Sequence, residues 1–116
     1  MFRWLTKNWA NTTEPTHADL RPLRIAGPLD SVGVCIRAAV DSLKNWTLES
    51  ANGAELHLTR KTGTFKFIDD VKLSLTVEGD SVLIHAASRS RVGVGDFGQN
   101  RRNILELFTA LASGPA

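Results

Sequence analysis

An α+β fold, an antiparallel β-meander of four to five strands with two main helices packed on one face, follows from three features of the sequence. Turn signals at Asn52-Gly53, Thr62-Gly63 and Gly79-Asp80 break a series of alternating runs between residues 46 and 92. Stripes of apolar residues at helical spacing stand before and after that series. The chain has 116 residues, of which 42% are hydrophobic. A chain of that length fits a single core that buries roughly 65% of the unfolded surface.

The opening ten residues, MFRWLTKNWA, place Phe2, Leu5 and Trp9 at helical spacing, with Trp4 beside them and Arg3 and Lys7 free for lipid headgroups. The same aromatics could instead close over the domain's own core. No apolar run there is long enough for a signal-peptide core or a membrane span, so a soluble chain is expected. Residues 11 to 19 are polar and aperiodic and read as a tether. The division is then a tether or short amphipathic segment over 1–16 and one α+β domain over 17–113.

LRPLRIA, residues 20 to 26, alternates weakly and predicts a short edge strand, because Pro22 removes a ladder donor. Gly27-Pro28 opens a helix, with Pro28 in its first turn and Asp30 and Ser31 favourable near its N-terminus. Val32, Cys35, Ile36, Ala39, Val40 and Leu43 form one apolar stripe to about residue 44. Cys35 is the single cysteine and reads as a buried structural thiol. The single thiol leaves the compartment open but favours a reducing one, with a cytoplasmic location expected and a position peripheral to a membrane as the alternative.

Strands are predicted over 46–50, 54–61, 64–77 and 81–92. Register is tested by asking which faces are apolar, because a slip of one residue inverts every side chain. A two-residue Gly79-Asp80 turn pairs Val77 with Val82, Leu75 with Ile84, Leu73 with Ala86 and Val71 with Ser88. Across the Thr62-Gly63 turn the same face continues through Phe65, Phe67, Leu58 and Leu56. Across the first turn, a three-residue loop over Ala51 to Gly53 sets Leu48 against Leu56 and Trp46 against Leu58, whereas a two-residue loop would turn both outward. The final helix is expected to start from Asp96 as N-cap with Gln99 three residues on, in a capping box. Ile104, Leu105, Leu107, Phe108 and Leu111 form its apolar face, and Ser113-Gly114-Pro115 ends it.

The same register sets Asp70 opposite Arg89 and Asp69 opposite Ser90. Asp70 and Arg89 then share the outer face with Lys66, Lys72 and Arg91, as an ion pair of a kind common across strands. Asp69 falls on the apolar face, where an unpaired charge is costly, so it needs donors. Candidates are Ser88, Ser90, Asn100, Arg101 and the amides at the start of the last helix; a bulge at Asp69-Asp70 would instead turn one carboxylate outward.

Several chemistries are excluded or disfavoured. Adjacent strand carboxylates point to opposite faces and cannot readily chelate one ion together, and His17, His57 and His85 have no companions at metal-ligand spacing, so no metal is expected. No serine sits in a G-x-S-x-G turn. Gly93, Gly95 and Gly98 satisfy G-x-G-x-x-G, but the preceding strand belongs to a meander and Asp96 puts negative charge where pyrophosphate would sit, so no dinucleotide or other cofactor is expected. A net charge of +2, from 14 basic and 12 acidic residues, gives no reason to expect nucleic acid.

T-x-T-F-K-F-I-D-D-V from Thr62 to Val71, and S-R-S-R-V-G-x-G-D-F-G-x-N-R-R-x-I from Ser88 to Ile104, resemble the family called domain of unknown function 1499. H-x-D-L-R-P, from His17 to Pro22, resembles its N-terminal element. The likeness runs from about residue 17 to 111. It implies a mostly bacterial family with plastid relatives, many of whose members carry an N-terminal membrane or lipoprotein segment, and it implies no activity, cofactor or substrate. The motif residues matched here are Asp69, Asp70, Ser88, Arg89, Ser90, Arg91, Gly93, Asp96, Gly98, Asn100 and Arg101. Val94 stands where other members place an arginine, which makes this loop less cationic.

The expected function is a non-catalytic binding or accessory domain that meets an anionic or membrane-associated partner through the arginine-rich joint at 88–103, with Phe2, Trp4 and Trp9 as further contacts. The alternative is a small enzyme or small-molecule carrier with a pocket between sheet and helices around Asp69, Ser88, Ser90 and Asn100.

Overall fold

The computed structural model describes residues 9–13, 20–63, 67–91 and 98–113. Its strands are β1 (Trp9–Asn11), β2 (Leu23–Ala26), β3 (Trp46–Asn52), β4 (Glu55–Thr62), β5 (Phe67–Glu78) and β6 (Ser81–Ser90), and its helices are α1 (Leu29–Ser42) and α2 (Gln99–Ser113). All six strands form one antiparallel sheet in the order β1-β6-β5-β4-β3, with β2 pairing β6 further along the edge that β1 occupies. The α+β architecture is the one expected, with two strands more than the four-stranded meander. One of them, β2, is the edge strand expected within residues 20–26, and only the other, β1, is new, from the N-terminal segment read as a tether or short amphipathic segment. It is fixed by Thr12, whose backbone N–H donates to the Ala86 carbonyl and whose hydroxyl accepts from the Ala86 N–H.

The core lies between the sheet and the two helices. Leu56, Leu58, Val71, Leu73, Leu75, Val82, Ile84 and Ala86 supply the sheet side, and Val32, Ile36, Val40, Ile104, Leu107, Phe108 and Leu111 the helix side. Each large aliphatic side chain buried there contributes about 1.5–3 kcal/mol relative to an exposed one. The Gly79-Asp80 turn has the expected register at every position, from Val77 with Val82 back to Asp69 with Ser90. Gly79 makes that turn at φ 62°, in the left-handed region.

Four expectations are corrected. The first hairpin does close in two residues, Gly53 and Ala54, with Asn52 paired to Glu55. A bulge between Leu48 and Ser50 then restores the parity that the short turn would otherwise invert. Leu48 thus meets Leu58 and Trp46 meets Arg60, and no longer turn is needed. Pro28 is the N-cap of α1 in extended conformation, one residue before the first turn. Cys35 is only partly buried, because Val32, Ile36, Ala39 and Val40 carry the buried stripe. Phe67 lies at the end of β5 and is 50% exposed, because its partner is Thr62 at the far end of β4.

At the other junction α2 begins at Gln99, preceded by Gly98 at φ 83°. Gln99 is therefore the first helical residue, too early for the third position of a capping box. Its side chain donates to Asn103 Oδ1 and accepts from Arg102. Asp96 lies outside the described residues, as do Phe2, Trp4, His17, Phe65, Lys66 and Gly93.

Candidate functional site

The motif residues divide between the two faces of the sheet. On the inner face, Asp69 and Ser88 are each 1% exposed and Asn100 and Asn103 are 0% exposed. Asn103 Nδ2 donates to Asp69 Oδ2 at 2.7 Å and to Ser88 Oγ at 3.2 Å. Ser88 Oγ donates to Asn100 Oδ1 at 2.6 Å, and Asn100 Nδ2 donates to Ser90 Oγ at 2.9 Å. Asn100 and Asn103 are three apart on α2 and so share its inward face with Ile104 and Leu107. The first turn of that face is made of amides, and it meets the one end of the sheet that carries a buried carboxylate and two hydroxyls. This network fastens α2 to the ends of β5 and β6.

Ser88, Ser90 and Asn100 were expected near Asp69, and they are there, but the side-chain amide that reaches the carboxylate belongs to Asn103. Its signal was its position three residues after Asn100, which only a fixed helix start turns into a shared face. Arg101 sits partly buried on the same helix. Gly98 precedes this helix, and a Cβ added there would stand 3.2 Å from Arg102 Nη1, in a backbone conformation that L side chains rarely adopt.

The second polar tie on the inner face joins α2 to the neighbouring strands in the same cross-strand row, since Arg60 is the register partner of Asp69 and Trp46 that of Arg60. Glu106 Oε1 accepts from Trp46 Nε1 at 2.6 Å and from Arg60 Nε at 2.8 Å. Burial alone would raise the Glu106 carboxyl, but the Arg60 and Trp46 hydrogen bonds outweigh it and hold the group below its ordinary value.

The outer face is open and polar. His57, Asp70, Lys72, Ala87, Arg89, Ser90 and Arg91 line a groove of about 650 Å³ across β4, β5 and β6. Asp70 and Arg89 are register partners as expected, yet they do not form the ion pair. Asp70 is taken instead by Arg91, whose Nε donates to Oδ2 and whose Nη2 donates to Oδ1, both at 2.8 Å. This is the bidentate geometry that suits a guanidinium to a carboxylate. The His57 Nε2 lies 2.7 Å from Asp70 Oδ1. Arg91 draws the Asp70 carboxyl down to about 2 against the opposing effect of partial burial, and His57 lowers it further. An ionised carboxylate only accepts, so Nε2 is the ring nitrogen that carries hydrogen.

The expected correspondence of Asp70 with Arg89 therefore holds for the backbone and is corrected for the side chains. Arg89 makes no side-chain hydrogen bond or ion pair with any described residue, and neither does Lys72. Trp9, the described one of the three aromatics predicted at the N-terminus, stands opposite Arg89 at the edge of this face. His57 and Lys72 were not among the expected site residues. They pair across β4 and β5, and the sequence signal that could have found them was the outward parity of both, given the register of the second hairpin.

A family model described as Protein of unknown function (DUF1499) matches residues 5–111. The chain belongs to this family. The DUF1499 match covers both sides of the sheet, and so includes the buried network as well as the groove. The comparison with curated proteins gives no match. Among solved structures, the crystal structure of TTHA0849 from Thermus thermophilus is similar at 9% identity, with 90% of this chain and 94% of that chain covered and a TM-score of 0.44. Among the described residues, no group of histidine, cysteine and carboxylate side chains could hold a metal ion, and no helix is long and apolar enough to cross a membrane.

Proposed function

We propose that this chain is a non-catalytic binding domain that receives an anionic partner on the open face of its sheet, around Arg89, Lys72 and Arg91. The observation that carries this reading is that Arg89 and Lys72 line one groove and neither has a carboxylate partner among the described residues. Structural ion pairs neutralise their cations, as Arg91 is neutralised by Asp70. Two cations left without such partners on a concave surface create a positive potential that attracts and orients an anion. Of the stretch expected to bind, Arg89, Ser90 and Arg91 line this groove.

The buried network around Asp69 reads instead as a joint between sheet and helix, because Asn100 and Asn103 tie Asp69, Ser88 and Ser90 to α2. Backbone amide shifts recorded by NMR during titration with heparin, a polyanionic probe, at fixed ionic strength test the proposal. The expected result is a set of shifts clustered at Arg89, Lys72, His57 and Trp9 that disappears in the double variant Arg89→Ala/Lys72→Ala. Shifts spread over the whole charged surface, or unchanged by the double variant, would refute it.

A further inference from the structure

The groove has a floor as well as walls. Ala87 is the register partner of Lys72 and lies two residues before Arg89 on the same strand, so its methyl group adjoins both cations at one corner, as Asp70 does at the opposite corner. Side chains diagonally placed across antiparallel strands have Cβ atoms about 7–8 Å apart, which Lys72 and Arg89 can close around one small group. A larger side chain at 87 would fill that space. His57 stands beside Lys72 on the next strand and borders the same groove. Its Nε2 is committed to Asp70, and its other ring nitrogen has no partner among the described residues.

Charge within the groove is arranged unevenly. Arg91 and Asp70 cancel as a bidentate pair, which leaves the positive charges of Arg89 and Lys72 uncompensated among the lining residues. We infer that the groove over Ala87 is a site for a phosphate-class oxyanion, a free phosphate or the phosphate of a monoester, held between Arg89 and Lys72 beside His57. A phosphate monoester carries about −1.5 to −2 charges near neutral pH, which matches two cations better than a single carboxylate does. Its tetrahedral oxygens can also accept from a guanidinium and an ammonium at once, and a protonated phosphate oxygen can donate to the other ring nitrogen of His57. This inference rests on the proposed anion-binding face and narrows it to a compact ligand seated on a particular residue.

Isothermal titration of the whole chain with inorganic phosphate, at constant ionic strength against chloride, tests it. Arg89→Ala and Lys72→Ala are each expected to weaken phosphate binding at least tenfold. Ala87→Leu should do the same with every charge intact, and Arg37→Ala on the exposed side of α1 should leave it unchanged. Should Ala87→Leu unfold the sheet, Ala87→Val fills part of the same space with a residue suited to strands. Phosphate binding that survives a folded Ala87 variant, or absence of phosphate binding by the native chain, would overturn the inference. Clustered heparin shifts at Arg89 and Lys72 would in either case leave the broader anion-binding reading standing. Vesicles of phosphatidylcholine with and without phosphatidic acid separate the two sources of the same chemistry. Sedimentation that requires both phosphatidic acid and Arg89 assigns a lipid monoester, and phosphate binding without sedimentation assigns a soluble one.

Discussion

Asp69 and Asp70 are adjacent on β5, and the sheet sends one into the core and the other onto the open face. Asp69 is almost fully buried and receives an amide from α2. Asp70 is only partly buried and receives a guanidinium and an imidazole from its own sheet. The inner carboxylate has no water to fall back on, so its donors are structural necessities. The outer one keeps solvent within reach, so its partners can be changed at small cost, and that tolerance is what leaves room for a ligand beside it.

The largest expected effect falls on the inner side. Asp69→Ala removes the acceptor of a buried amide and should cost about 2–4 kcal/mol, measured by urea unfolding. A loss below about 1 kcal/mol would mean that α2 docks without the polar joint, and the contrast between the two faces would lose its basis. Next comes the tie at the middle of α2. Glu106→Ala leaves Arg60 Nε and Trp46 Nε1 without their acceptor and should cost roughly 1–3 kcal/mol, with the Arg60→Ala/Glu106→Ala cycle showing coupling above about 0.5 kcal/mol.

Smaller still is the outer pair. Asp70→Asn should cost about 1 kcal/mol at neutral pH, consistent with a partly exposed ion pair. Because the folded Asp70 carboxyl titrates at about 2 and its ordinary value is 3.8, the unfolded chain takes up the proton first as pH falls. The stabilisation is therefore complete above about pH 4 and disappears on the way down to about pH 2. The difference in unfolding free energy between native chain and Asp70→Asn should shrink across that window, and a difference independent of pH would exclude the pair as its source. Smallest is Arg89→Ala, with an expected change in stability within about 0.5 kcal/mol. A double-mutant cycle of Asp70 with Arg91 should show coupling, and one of Asp70 with Arg89 should show almost none. The reverse result would return Arg89 to a structural role and close the groove as a binding site.

Much of the sheet was legible because a two-residue turn propagates its parity along the strands on either side. From Gly79-Asp80 alone, Asp69 and Ser88 could be placed on the apolar face and Asp70 and Arg89 on the other. The first hairpin was misread for the same reason, since a bulge at one residue cancels the parity of the turn and alternation does not reveal which of the two is used. The inner site was legible in its hydroxyls and Asn100, whereas Asn103 depended on where α2 starts. The outer site was legible in Asp70, Arg89 and Arg91, but which arginine the carboxylate takes was not.

Local periodicity and turn chemistry were enough to specify the fold class, the two apolar helix faces and the register of β5 with β6, because each of these is written within a short span of chain. Packing in three dimensions was needed to give Asp70 to Arg91 and Asp69 to Asn103, and to bring His57, Lys72 and Ala87 into one groove with Arg89. Those choices depend on distances between side chains on different strands and on the rotation of one helix, and these are fixed only when the whole sheet and the helix pack together.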